Sequence, residues 1–229
     1  MATSARELGA AWDDGGDVTV LVTGHWGFIG SHLCGALEDQ DIPVIGIDLK
    51  DGKDILTADL PEVDRVYHLA AQTNAQTSDV LADAQVNIMG TLRLLERYGS
   101  RVVFASSSAV NYPFTPYAIS KRAGEDYARM YGAAVVRFCN IHGPGGHGVF
   151  ECFEASDVIT IRGDGNQIRT YAPVSEAVSA LLNAKPGELH ILKGKDMTVK
   201  EVAAMYPGKP VSYAPASPAD ILDGRQKAA

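Results

Sequence analysis

Apolar residues along the chain fall into two alternating rhythms. Short, nearly unbroken apolar runs occur at Val18–Thr23 (VTVLVT), Pro43–Ile47 (PVIGI), Arg65–Ala71 (RVYHLAA), Arg101–Ala105 (RVVFA) and Ala134–Phe138 (AVVRF). They are rich in β-branched residues, and the first, second and fourth end at Gly24, Asp48 and Ser106, the pattern of strands buried on both faces. Between them apolar residues recur at helical spacing. Gly27–Glu38 carries Ile29, Leu33, Ala36 and Leu37, Val80–Arg97 carries Val86, Ile88, Leu92 and Leu95, and Tyr117–Tyr131 is a third such segment. Strands alternating with helices predict right-handed βαβ units and a doubly wound parallel sheet of the α/β class.

The texture changes after Asn140. Gly143–Gly148 (GPGGHG) reads as a loop, Val158–Ile161 as a strand, Val174–Ala184 as a helix, Leu189–Leu192 as a strand, Val199–Met205 as a short helix and Val211–Ala214 as a last strand. The expected organisation is a loose extension over 1–16, a main domain over 17–140, and a small mixed α/β region over 141–229 whose strands and helices interleave.

Composition narrows the options. The chain has 229 residues, 46% hydrophobic, with a net charge of -8. An acidic protein of this kind is not expected to bind nucleic acid or an anionic membrane through its general surface. Cys34, Cys139 and Cys152 are too scattered for a disulfide framework or a metal site, so a reducing, cytoplasmic setting and no metal are expected. Neither a secretion signal nor a membrane-spanning run is visible.

The first strand runs into Gly24-His25-Trp26-Gly27-Phe28-Ile29-Gly30 and then a helix. Glycines spaced this way permit a tight turn, close approach of the backbone to a pyrophosphate, and close packing of helix on strand. The helix N-terminus offers unpaired N–H groups to the phosphates. Asp48, at the end of the next strand, can accept hydrogen bonds from ribose hydroxyls and would repel a 2′-phosphate. Together these define a Rossmann-type dinucleotide site. The carboxylate favours NAD over NADP, with Lys50 and Lys53 the nearest cations a 2′-phosphate could use. His25, Trp26, His142 and His147 lie in nearby loops and read as packing or hydrogen-bonding residues.

The fourth strand ends in Ser106-Ser107-Ser108, at the carboxyl edge where a parallel sheet receives ligands. Tyr117 and Lys121 follow in Tyr-Ala-Ile-Ser-Lys, and i,i+4 positions share a helix face. A phenol is a poor base near neutral pH, and a neighbouring ammonium is expected to pull its proton affinity down. The phenolate then takes a hydroxyl proton while hydride leaves the same carbon for NAD, with Ser108 holding the hydroxyl in line.

The ordered blocks VTGHWGFIGSHL, TADL, VYHLAAQT, VNIMGTLRLLE, ASSSAVNY, YAISK, VRFCNIHGPG and GDGNQIRTY carry a resemblance. They resemble the extended short-chain dehydrogenase/reductases, in particular the nucleotide-sugar epimerase/dehydratase group typified by UDP-glucose 4-epimerase. The resemblance implies catalytic roles for Ser108, Tyr117 and Lys121. It implies cofactor contacts from Gly24, Gly27, Phe28, Ile29, Gly30 and Asp48, from Asp59 and Leu60 at the adenine, and from Leu69, Ala70, Ala71 and Thr73, besides Tyr117 and Lys121. Asn140 and Arg169 match substrate-phosphate residues, and a guanidinium suits phosphate oxygens. The family habit also implies a homodimer through the helices at Val80–Arg97 and Tyr117–Tyr131. The departures are a shortened connector between Ser108 and Tyr117, Thr170 where the family has an acid, Ser217 where it usually has an arginine, and an early C-terminus.

The dehydratase branch places an acidic pair where this chain has Ala109 and Val110, and the decarboxylase branch wants a glutamate in the same region. The expected reaction is therefore reversible oxidation at one sugar carbon, giving a nucleotide-sugar 4-epimerase acting on a UDP-hexose. A nucleotide-sugar reductase or dehydrogenase, and a non-enzymatic dinucleotide sensor, are the alternatives.

Overall fold

The computed structural model describes residues 18–73, 79–112 and 115–216; the expected extension at 1–16 and Ser217 lie outside the described residues. The chain divides into two compact units. The described residues up to Phe138 join Ala177–Ile191 in the first, and Cys139–Glu176 joins the described residues from Leu192 onward in the second.

The first unit is built on a six-stranded sheet in the order β2-β1-β3-β4-β5-β9. Its strands are β1 (Val20–Thr23), β2 (Val44–Ile47), β3 (Arg65–His68), β4 (Val102–Ser107), β5 (Ala134–Phe138) and β9 (Leu189–Ile191). Every pairing is parallel. The parallel sheet and its flanking helices make this an α/β Rossmann-like fold, as the strand and helix rhythm predicts. Val20, Leu21, Val22 and Thr23 are all buried, so helices cover both faces of β1 and its apolar run need not alternate. The strand order reverses between β1 and β3, the switch point where such sheets open a ligand crevice.

The helices of this unit are α1 (Phe28–Glu38), α2 (Val80–Asp83), α3 (Gly90–Tyr98) and α4 (Pro116–Met130). The single helix expected over Val80–Arg97 is interrupted by a π-helical turn at Ala84–Met89, where the Gly90 N–H reaches the Gln85 carbonyl five residues back. Helix α4 starts sharply. Thr115 caps it by accepting from the Ala118 N–H, and Pro116 occupies the first turn, where its missing N–H costs nothing. This start puts Tyr117 in the first turn and Lys121 in the second.

Strand β3 stops at His68, short of the expected Ala71. Leu69 N–H donates to the Thr23 carbonyl at 3.1 Å and Ala70 N–H to Thr23 Oγ1 at 3.2 Å, which draws the chain across the glycine turn. Core side chains of this unit include Leu21, Val66, Leu94, Leu95, Phe104 and Val135. The buried Arg65 donates to the Leu181 and Ala184 carbonyls, tying β3 to the chain that delivers β9.

In the second unit β10 (Lys195–Thr198) pairs antiparallel with β8 (Ile168–Pro173), which pairs parallel with β6 (Asn140–His142). A separate parallel pair joins β7 (Ile159–Arg162) to β11 (Val211–Ala214). Helices α5 (Val149–Ala155) and α7 (Val199–Ala203) contribute Phe153, Val199 and Val202 to a small core with Ile159, Ile161 and Tyr171. Helix α6 (Val174–Asn183) begins in this unit and ends in the first.

Candidate active site

The turn after β1 is built for close backbone approach. Gly24 has φ +72°, a left-handed value open to glycine, and a Cβ there would lie 2.7 Å from the Ala70 nitrogen. A Cβ on Gly30 would lie 2.2 Å from the Gly24 carbonyl oxygen, so only glycine lets α1 start this near the turn. Gly27 caps α1 without a side chain, and Phe28, Ile29 and Gly30 form its first turn, where helix N–H groups have no intrahelical partner. The Asp48 carboxylate closes β2, accepting from Trp26 N–H at 3.1 Å and Lys50 N–H at 2.9 Å. It braces the turn and keeps acceptor capacity for hydroxyl donors. His25 pairs with Asp51 at 3.0 Å, and Trp26 Nε1 donates to Asp51 Oδ1 at 2.8 Å, so both act in packing and bonding. Among the other expected residues, Asp59 and Thr73 are exposed, while Leu60, Leu69, Ala70 and Ala71 are half-buried.

At the end of β4 the three serines separate. Ser106 Oγ donates to the buried Glu125 carboxylate at 2.8 Å. Ser107 accepts from the Ala109 N–H, capping the 3₁₀ turn Ser108–Asn111, and is hydrogen-bonded to the Tyr117 hydroxyl. The serine joined to the tyrosine in this structure is thus Ser107, one position before Ser108, which opens the turn. Lys121 is 4% exposed; its ammonium donates to the Ala105 carbonyl at 2.8 Å and lies 4.9 Å from the Phe104 ring centre.

Burial sets the electrostatics. It pushes the Lys121 ammonium down to about 8, because a charge is poorly solvated there. Burial also pushes the Tyr117 phenol above its ordinary value; the Ser107 bond opposes this and the Asp83 charge adds to it. The lowering expected from Lys121 does not win. Its ammonium is committed to the Ala105 carbonyl, and desolvation of the phenol is the larger effect.

His68, fully buried behind this pair, falls to about 3 through burial and the Lys121 charge, and is therefore neutral. Its tautomer follows from its neighbours. Thr91 Oγ1 spends its proton on the Asn87 carbonyl at 2.6 Å, so His68 Nε2 donates to Thr91 at 2.9 Å. His68 Nδ1 is left to accept from Thr23 Oγ1 at 2.7 Å, and that oxygen accepts the Ala70 N–H. A line of hydrogen bonds thereby joins the glycine turn to the helix beside α4. Glu125, Ser106 and Arg137 form a second buried network, with Arg137 also reaching Asn111 Oδ1 at 3.1 Å.

Asn140 and Arg169 lie in the second unit. Asn140 Nδ2 donates to the Thr170 carbonyl at 3.0 Å, and Arg169 faces Met197 in the β8–β10 register. Ser107, His68, Asp83, Thr91 and Glu125 were not singled out by sequence reasoning. Their signal was present as polar residues inside apolar strands and as the i,i+4,i+8 spacings Asp83–Asn87–Thr91 and Tyr117–Lys121–Glu125. Among the described residues no group of three or more His, Cys, Asp or Glu is placed to hold a metal ion, and no helix is long and apolar enough to cross a membrane.

A parallel sheet with a glycine cradle at its switch point and an acidic residue closing the second strand defines a Rossmann-type dinucleotide-binding protein. Residues 20–188 match the NAD dependent epimerase/dehydratase family, and the chain belongs to that family. It is 32% identical to a putative UDP-glucose 4-epimerase of Methanocaldococcus jannaschii, over 80% of this chain and 79% of the relative. It is 33% identical to a UDP-glucose 4-epimerase of Mycolicibacterium smegmatis, over 72% of each. Among solved structures, MoeE5 in complex with UDP-glucuronic acid and NAD is similar with a TM-score of 0.76 and 28% identity, over 88% of this chain and 86% of that one. Membership makes the chain an NAD-dependent sugar-modifying enzyme, and the glycine cradle at Gly24 and Gly30 fits that cofactor.

Proposed function

We propose that the protein is a nucleotide-sugar 4-epimerase of the UDP-glucose/UDP-galactose type. NAD, when bound, supplies the hydride acceptor and donor at the sugar carbon. The reading is carried by one arrangement: Tyr117, bonded to Ser107 at the end of β4, with Lys121 one helical turn further along α4. In this proposal Tyr117 takes the proton of the sugar hydroxyl and later returns it. The serine pair Ser107–Ser108 orients that hydroxyl, and Lys121 supplies the positive charge.

Gly24, Gly27, Phe28, Ile29 and Gly30 would hold the pyrophosphate, Asp48 the ribose, Asp59 and Leu60 the adenine, and Leu69, Ala70, Ala71 and Thr73 the nicotinamide end. Asn140 and Arg169 would take the substrate diphosphate. Ala109 and Val110 add no acid or base beside the serines, which leaves reversible oxidation without elimination. We further propose a cytoplasmic homodimer. Its support is the exposed apolar side chains Leu81 and Met89 on the segment Val80–Tyr98, and Ile119, Tyr127 and Met130 on α4.

The test is to incubate the protein with a panel of UDP-hexoses and follow the configuration at sugar C4 by NMR. Inversion without net reduction of NAD, abolished in Tyr117→Phe, is expected. Stoichiometric accumulation of NADH, or no inversion with any sugar, would overturn the reading.

A further inference from the structure

Asp83, Asn87 and Thr91 form a polar line on the buried face of the helical segment that runs through the π turn, each 1% exposed or less. Two of the three are fully used. Thr91 bonds His68 and the Asn87 carbonyl. Asn87 Nδ2 donates to Ser120 Oγ at 2.9 Å and to the Gln72 carbonyl, and its Oδ1 accepts the Gln72 N–H. Neither carboxylate oxygen of Asp83 has a hydrogen-bond partner among the described residues. A buried polar group left unsatisfied is costly, and a carboxylate more so.

The Asn87–Ser120 bond sets how this segment lies along α4. One turn toward the N-terminus from Asn87 is Asp83, and one turn toward the N-terminus from Ser120 is Tyr117. Helix α2 packs against α4, and Asp83 and Asn87, four residues apart, lie on one face of the helical segment.

Resting on Tyr117 as the proton carrier, we propose that Asp83 is a positioning residue that tunes that tyrosine as a base. Negative charge near the phenol makes the phenolate harder to form and, once formed, more avid for the proton of a sugar hydroxyl. The Asp83 charge indeed raises the Tyr117 phenol, and Asp83 itself is held above the usual carboxylate range by burial and by Asp79 on its own helix. The remaining neighbours do not neutralise it. From β4, Ser107 bonds the tyrosine; on α4, Lys121 is tied to the Ala105 carbonyl; and two turns along α4, Glu125 is closed on Arg137.

The experiment is a pH titration followed by NMR of protein carrying tyrosine labelled at Cζ, with Tyr117 assigned by its loss in Tyr117→Phe. In Asp83→Asn and Asp83→Leu the Tyr117 ionisation should move to lower pH, while Asp83→Glu keeps the wild-type titration. Thermal stability of the Asn and Leu variants should be equal to or above wild type, since the Asp83 carboxylate has no hydrogen bond among the described residues to lose. A Tyr117 titration that coincides in wild type and both neutral variants would overturn the proposal. So would a rescue that fails in Asp83→Glu. The readout needs no turnover, so absence of epimerase activity would leave it standing and would bear on the function alone.

Discussion

The Lys121 ammonium donates to the Ala105 carbonyl at 2.8 Å, fastening α4 to the end of β4, two residues before the serine that bonds Tyr117. The cation also lies over the Phe104 ring, and its burial lowers its proton affinity to about 8. Its charge is thus held at a cost to the fold.

Lys121→Met should reduce turnover by about 10²-fold or more without lowering stability at neutral pH. The folded state holds this proton less tightly than the unfolded chain, so wild-type stability rises relative to the Met variant between pH 8 and the ordinary lysine value near 10.5. Urea denaturation of both proteins at pH 7 and at high pH checks this. An equal stability difference at both would contradict it.

The two serines are separable. Ser107→Ala removes both the bond to the Tyr117 hydroxyl and the cap on the 3₁₀ turn. It should raise the pH at which Tyr117 ionises, because the bond favours the phenolate. Ser108→Ala should leave that ionisation in place and act on turnover alone. Kinetics of the two variants across pH, beside the Tyr117 titration, distinguish them.

His68 makes the protein acid-sensitive in a defined window. Its folded value is depressed to about 3 from 6.5, so the stability it carries is fully present above pH 6.5 and lost as pH falls below that. Wild type should lose about 2 kcal/mol between pH 6.5 and pH 5 from this group. Urea titrations of wild type and His68→Gln over that range measure the share; equal slopes would exclude His68 as the source.

Breaking the Glu125–Arg137 pair should be severe. Glu125 is 1% exposed and accepts from Ser106 and Arg137. Glu125→Ala removes the carboxylate partner of the half-buried Arg137, leaving it only Asn111, and should cost about 3 kcal/mol, with part recovered in the double variant Glu125→Ala, Arg137→Met. Chemical denaturation provides the double-mutant cycle.

Gly30→Ala tests the cradle. The new methyl would sit 2.2 Å from the Gly24 carbonyl oxygen, against backbone that cannot swing aside. Affinity for NAD, measured by calorimetry, should fall by at least about tenfold. Unchanged affinity would mean that the turn shifts freely and that its shape does not govern binding.

Much of this protein was legible one segment at a time. The five apolar runs and the three helical segments of the first unit stand close to where periodicity puts them, apart from the shortened β3 and the interruption after Asp83, because burial on both faces leaves a continuous trace in β1 and β4. The short strands β6, β8 and β10 and the helix α5 carry no such trace, since pairing with neighbours defines them more than their own pattern does. The π turn at Ala84–Met89 was hidden for a related reason. A local widening of the helix barely disturbs its apolar pattern, so periodicity alone does not reveal it.

By itself the sequence determined the class of fold, through the alternation of apolar runs and helical segments, the glycine turn after the first strand, and the placing of Tyr117 and Lys121 one helical turn apart. Only the tertiary structure decided that Ser107 bonds the Tyr117 hydroxyl, that burial raises the phenol, that His68 is neutral with its proton on Nε2, and that among the described residues the Asp83 carboxylate alone in its polar line has no hydrogen-bond partner. Those outcomes depend on desolvation and on bonds between residues far apart in the chain, quantities that local periodicity does not encode.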